Sequence, residues 1–324
     1  MFLNKIKAGE SGILTYGITP PKSETRAERI VEIAEKTIAR IIPLDLDALI
    51  VYDVQDESAR TSEERPFPFL KALDPFKFAS EYLQELKIPK IIYRPAGKFS
   101  KKELFDWLNN LLRHHFYPVF VGVPAPDAAV KTSLPEAYAI WIKNESTSVM
   151  GAVTIPERHE VLKDEDKRIL DKVSCGVSYF ISQCIFNVDY AKQLIEDLCS
   201  TCKKDNLKPP TIIFTLTVCG SAKTLHFMEW LGIHIPHDLK EDLKHAENIL
   251  EKSIQICLDI ASELTDFCMA RCIPFGFNME SVAIRKEEIE ASIYVVNQLA
   301  EMLDKKGVRK MMAASSPVDK LAVS

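Results

Sequence analysis

The sequence predicts a single (β/α)8 TIM barrel of the α/β class, and three observations carry that expectation. Short β-branched or aromatic runs alternate with helical stretches almost from end to end of the 324 residues. Eight such runs can be drawn, and most begin roughly 30 residues apart, the length of one strand, one helix and two loops. No repeated cassette and no linker interrupts the series, which favours a closed barrel over an open sheet.

The expected strands are Ile13–Ile18, Ala48–Val54, Lys90–Arg94, Pro118–Val123, Val149–Val153, Tyr179–Phe186, Thr211–Val218 and Pro274–Met279. Between the first two, Thr25–Ile41 repeats apolar residues at Ile30, Ile33, Ala34, Ile38 and Ile41, a helical stripe. Ser100 precedes a helical run with Glu103 three residues on, the pattern of a capping box. The long interval before the last strand predicts extra helices near the C-terminus. One follows strand seven, and helical spacing then runs from Asp238 to about Cys272. A last helix is expected from about Lys286 to Lys305. Residues 1–310 are read as the barrel and 311–324 as a flexible tail.

Composition excludes several functions. The sequence has 11 glycines, about half the usual share. It contains no GxGxxG fingerprint and no complete GxxxxGK[ST] loop, so phosphate-cradling nucleotide folds are set aside. Val218–Thr224 mimics such a loop but lacks both of its required glycines. A net charge of −5 gives no footprint for nucleic acid. The start has no apolar signal core, and the most apolar stretch, Phe116–Pro126, is too short to span a bilayer. A soluble, cytoplasmic protein without nucleic-acid or membrane partners is expected, and a homo-oligomer is compatible with the sequence. The eight cysteines all lie in the second half. Cys199 and Cys202 have no second pair or histidine at zinc spacing, and His234 and His237 flank a proline, so no metal site is expected.

In a barrel of this kind, ligands bind where the strands end. Those ends carry Tyr52 and Asp53, then Arg60, after strand two, and Tyr93 and Arg94 at strand three. Strand four ends in Val123, Pro124, Ala125, Pro126 and Asp127, and strand five in Glu157, Arg158 and His159. Strand six holds Gln183, Phe186 and Asn187, and strand eight Asn278 and Glu280. A mouth of amides, carboxylates and rings suits a flat heterocycle. Gln183 sits inside an apolar run, where an unsatisfied amide costs about 1–3 kcal/mol, so it is either bonded to backbone or turned to a ligand.

The order of motifs resembles the methylenetetrahydrofolate reductase family. The run Lys172–Asn187 (KVSCGVSYFISQCIFN) is similar to that family's segment leading into strand six. Thr154–Glu160 (TIPERHE) resembles its strand-five end, and Tyr16–Glu24 (YGITPPKSE) its first-strand motif. Val51–Thr61 and Trp230–Pro236 fit further segments. The resemblance implies a barrel that binds a reduced folate, methyl- or methylene-tetrahydrofolate, in one-carbon metabolism. It implies that Gln183 reads the pterin edge, that Phe186 and Tyr52 or Tyr93 stack on it, and that Asn278 contacts substrate. Arg94 or Lys172 would meet the glutamate tail, and His159 and Lys172 would touch FAD if a flavin is held.

The departures bear on chemistry. The family's acid position is occupied by Gly17, which cannot transfer a proton, and general acid catalysis is worth about 10²–10⁴-fold. The flavin-facing aspartate, tyrosine and histidine of the family are also replaced. The expectation is therefore a folate-binding barrel with reductase chemistry altered or lost. The alternatives are an active reductase using FAD or directly bound NAD(P)H with Asp53 or Glu157 as a relocated acid, and a non-catalytic barrel for folate storage or regulation.

Overall fold

The computed structural model describes residues 2–58, 61–122, 129–144 and 146–310. Its eight strands are β1 (Ile13–Ile18), β2 (Ala48–Val51), β3 (Lys90–Pro95), β4 (Tyr117–Val121), β5 (Met150–Thr154), β6 (Val177–Cys184), β7 (Thr211–Thr217) and β8 (Phe275–Glu280). They form a closed barrel in sequence order. Each pairs in parallel with the next, and β8 returns to β1 with Gly17 opposite Glu280. The (β/α)8 expectation holds. The expected tail 311–324, the strand-four end 123–127 and Arg60 lie outside the described residues.

Twelve helices appear among the described residues: α1 (Phe2–Ala8), α2 (Ala27–Ile41), α3 (Pro75–Lys77), α4 (Lys101–Arg113), α5 (Leu134–Lys143), α6 (Pro156–Leu162), α7 (Glu165–Ser174), α8 (Val188–Lys204), α9 (Ala222–Trp230), α10 (His237–His245), α11 (Ile249–Ala270) and α12 (Lys286–Lys305). The stripe read on α2 is the buried face, with Ile30, Ala34, Ile38 and Ile41 inside. Ser100 and Glu103 form the expected capping box, which satisfies N–H groups that a helix start leaves unpaired. The single helical pattern expected over 238–272 is two helices. Ala246 turns extended, and Asn248 then accepts from the N–H groups of Leu250 and Glu251 to start α11. None of the described helices is long and apolar enough to cross a membrane.

Period-two alternation divides the strands' side chains between two cores. Ile13, Ala48, Ile50, Ile91, Val119, Tyr179, Ile181 and Ile213 fill the barrel. Leu14, Leu49, Val51, Ile92, Phe120, Phe180 and Phe277 pack beneath the helices. Large rings inside the barrel need space on facing strands. At Gly151 an added Cβ would stand 2.5 Å from the Tyr179 ring.

Helix α1 closes the N-terminal end. The Phe2 ring lies 5.2 Å from the rings of both Tyr117 and Tyr179. Arg309 bonds Asp45, Asp47 and the Gly12 carbonyl nearby, and Lys5 reaches Asp47 at 2.7 Å. These bonds tie the acidic pair Asp45 and Asp47 to the chain itself. The opposite end, where the strands finish, is open to a cavity of about 630 Å³.

Candidate functional site

The C-terminal mouth holds a cavity of about 630 Å³ lined by Tyr52, Tyr93, Tyr138, Arg158, Arg168, Lys172, Gln183, Cys184, Thr215, Leu231 and Glu280, among others. Its volume is that of a typical small-molecule site.

One wall is built on β1, β2, β6 and β8. Gly17 leaves room there for the Tyr52 ring, whose Cε2 would lie 2.6 Å from an added Cβ. Tyr52 also packs edge-on against Tyr93 at 4.7 Å. Beneath them Asn278, fully buried, accepts from Thr15 and donates to the Tyr52 hydroxyl at 2.9 Å. The Tyr52 hydroxyl stands near the Glu280 carboxyl and favours its charged form. Cys184 donates to the same carboxyl at 3.2 Å. Burial lifts the Glu280 carboxyl above its ordinary range, and Tyr52 and Cys184 only partly offset that.

The aim of Cys184 follows from a local irregularity. Ile181 pairs with Ile213, but the next pairing is Cys184 with Thr215, so β6 carries an extra residue there. The Ser182 hydroxyl fills the gap by accepting from the Thr215 N–H at 2.9 Å. Such a bulge shifts the inward parity of the strand by one.

The other wall is cationic and follows β5. Arg158 is held by Glu165 at 3.4 Å, and Glu165, fully buried, also accepts from Thr154 and the Ile155 N–H. Lys172 donates to the Val153 carbonyl at 2.8 Å, and burial lowers its pKa. Arg168 lines the same side and pairs with Asp164 at 3.2 Å.

Of the residues expected from sequence, Tyr52, Tyr93, Lys172 and Gln183 line the cavity. Gln183 donates weakly to the Leu231 carbonyl at 3.5 Å, so its amide is only lightly engaged. Asn278 supports Tyr52 from below and does not line the cavity. Phe186 is 1% exposed and packs in the core beneath the helices, so its ring is not offered to a ligand. Arg94 is 4% exposed, stacked on Phe99 and Trp107 and paired with Asp74 at 2.8 Å and Asp53 at 3.6 Å. That clamp keeps both Arg94 and Asp53 off the cavity lining. Burial raises the Asp53 carboxyl, although Arg94 opposes the shift.

His159 is also outside the cavity. It is 1% exposed and bonds Asp197 of α8 at 2.8 Å, with Asp166 on its other side. Glu157, in the first turn of α6, does not line the cavity. Neither of its carboxyl oxygens has a hydrogen-bond partner, and burial pushes it up to about 7. Cys199 and Cys202 sit on α8, and burial raises both thiols, Cys202 to about 11. Among the described residues no group of three or more His, Cys, Asp or Glu could hold a metal ion.

Sequence reading placed Glu280 and Arg158 at the strand ends without giving either a role, and it passed over Cys184 and Arg168, which also line the cavity. Glu280 carries a legible signal: it stands two residues beyond Asn278 on one strand face, at the strand's end. The bulge that turns Cys184 inward has no such signal.

Fold and cavity define a (β/α)8 barrel with a cavity of small-molecule size at the C-terminal ends of its strands. Among solved structures, a protein from Clostridium thermocellum, described as binding two copies of 5-methyl-5,6,7,8-tetrahydrofolic acid, is 44% identical to this chain. The match covers 92% of this chain and 99% of that one, with a TM-score of 0.82. The chain belongs to the family of that protein. A 2,3-dimethylmalate lyase (11% identity, 99% and 89% coverage, TM-score 0.47) and an oxaloacetate acetylhydrolase (10%, 99% and 93%, 0.46) are too distant to bear on function. No protein-family model and no curated protein sequence matches the chain.

Proposed function

We propose that this chain binds a reduced folate, 5-methyltetrahydrofolate or a close relative, in the mouth cavity. The carrying observation is the 44% identity to a barrel that binds 5-methyltetrahydrofolate, over nearly the whole of both chains. The cavity is consistent with such a ligand. It has tyrosines for a flat ring and an acidic wall for a ring's N–H groups. Its cations Arg158, Arg168 and Lys172 suit a glutamate tail.

Within that reading, the chain is a divergent relative of the methylenetetrahydrofolate reductases whose hydride chemistry is altered or lost. The support is Gly17: the Tyr52 ring fills the space a side chain would need. The two residues that would touch FAD, His159 and Lys172, do not converge, because His159 is locked against α8. The reading therefore involves no flavin, and a purified protein showing a flavin spectrum would count against it. Calorimetry with 5-methyltetrahydrofolate tests the binding itself; no heat with this ligand or its methylene analogue overturns the proposal.

A second reading, an active reductase with a relocated acid, draws on Glu157, whose carboxyl titrates near neutrality at about 7. Asp53 is the weaker acid candidate because Arg94 engages it. Oxidation of NADH or NADPH dependent on methylenetetrahydrofolate would establish this reading over the first.

A further inference from the structure

We infer that Glu280 is the residue that selects the ligand's ring, accepting the paired N–H groups of a 2-amino-4-oxo-pyrimidine edge while the cations across the cavity take the anionic tail. The inference rests on the folate reading and names the residue that discriminates within it.

Asn278 uses its amide N–H on the Tyr52 oxygen, at 2.9 Å, so the Tyr52 proton is free to point onward. The Glu280 carboxyl stands near that hydroxyl, and the Cys184 thiol donates to it at 3.2 Å. The chain thus runs from Asn278 through Tyr52 to Glu280, with Cys184 joining from β6.

No ion pair with Lys, Arg or His involves Glu280 among the described residues, in contrast to Asp53, Glu165 and Asp197. A carboxylate offers about four lone-pair sites, and the Cys184 donor with the neighbouring Tyr52 hydroxyl would occupy at most two, which leaves acceptor capacity in a group that lines the cavity. A buried acceptor group without a counter-charge is complemented by a ligand that brings N–H donors in a fork. The amino group and neighbouring ring N–H of a 2-amino-4-oxo-pyrimidine have that geometry. Tyr52 and Tyr93, packed edge to face, stand beside the carboxyl and supply apolar surface for the ring.

The arrangement also sets polarity. Glu280 ends β8, whereas Arg158, Arg168 and Lys172 belong to α6 and α7, which follow β5. In an eight-stranded ring β5 and β8 lie on different sides. A ligand with a donor-rich ring and an anionic tail can therefore enter in one orientation only.

The experiment uses calorimetry on the whole chain with three ligands: 5-methyltetrahydrofolate, a tetrahydropterin lacking the tail, and p-aminobenzoylglutamate lacking the ring. Charge-assisted bonds are worth about 1.5–3 kcal/mol, so Glu280→Gln should weaken the first two by roughly 10- to 100-fold and leave the third within about twofold. Glu280→Asp, which keeps the carboxyl, should weaken them less than Glu280→Gln. Retained binding of p-aminobenzoylglutamate shows that a variant is folded, and if Glu280→Gln does not fold, the Glu280→Asp series decides. Should the wild-type chain bind 5-methyltetrahydrofolate and the variants bind it equally well, the assignment of Glu280 falls while the folate reading stands. Equal weakening toward all three ligands also overturns it, since that marks a structural role. No binding by the wild-type chain overturns both.

Discussion

Glu157 makes no hydrogen bond through either carboxyl oxygen, and burial raises it from 4.5 to about 7. Such a group costs stability in a definite pH window. Below 4.5 both folded and unfolded chains hold the proton, and the cost is absent. Between 4.5 and about 7 the folded chain binds more protons than the unfolded one, so stability falls as pH rises. Above about 7 the full cost is present, at most roughly 3 kcal/mol. Glu157→Gln should flatten that decline, and the variant should exceed the wild type in urea denaturation on the alkaline side. Parallel stability curves for the two proteins would rule the effect out. Gly17 makes a second residue-level case. Its neighbour is a ring carbon of Tyr52, a rigid group already packed on Tyr93, so the ring cannot simply swing aside. Gly17→Ala should destabilise by about 1–3 kcal/mol through overpacking. Removing the ring with Tyr52→Ala should abolish the further loss from Gly17→Ala, whereas Tyr52→Phe should not. Thermal melts of the double variants decide, and additive losses would show that the ring is not the obstacle.

At the scale of elements, α1 acts as a floor. Phe2 is fully buried between two tyrosine rings at the end opposite the cavity. Phe2→Ala should cost about 3–5 kcal/mol yet leave the affinity for 5-methyltetrahydrofolate within about twofold. Chemical denaturation and calorimetry on the same preparation check both halves, and a large loss of affinity would mean that the two barrel ends are coupled. The elements also show what the sequence could reveal. β1 and α12 have the ends that periodicity predicts, because alternation and a buried stripe are local properties. The break between α10 and α11 is less legible, since helical spacing continues across Ala246–Asn248 and only the cap at Asn248 marks it. The bulge in β6 is hidden for a different reason. It is fixed by the Ser182 bond to β7, a contact between residues far apart in the chain. Site assignments divide in the same way. Tyr52, Tyr93 and Gln183 reach the cavity from strand ends, and Lys172 reaches it from α7. Arg94 and His159 are captured by Asp74, Asp197 and the rings of Phe99 and Trp107, partners that no local pattern announces.

For the molecule as a whole, charge is distributed against its own average. The sequence carries 46 acidic and 41 basic residues, a net of −5, which would repel a dianionic tail if spread evenly. The cavity instead gathers Arg158, Arg168 and Lys172 on the β5 side, while its carboxylates are Glu57 after β2 and the desolvated Glu280 at the end of β8. Affinity for the tail should therefore be electrostatic and partly screened by salt, because Arg158 and Arg168 are 28% and 46% exposed. Affinity for the ring should not be, because its partner Glu280 is reached only within the cavity. Replacing Arg158 and Arg168 together with alanine should weaken 5-methyltetrahydrofolate by roughly 5- to 50-fold and flatten its salt dependence. The same double variant should bind a tail-less tetrahydropterin as the wild type does, at every salt concentration. Glu280→Gln should show the opposite pattern, with weak binding of the pterin and an undiminished salt slope for the tail fragment. A titration series over ionic strength with both variants separates the two walls. If the arginine variant lost the pterin and the tail alike, the cavity would not be divided by charge, and the single orientation inferred from that division would go with it.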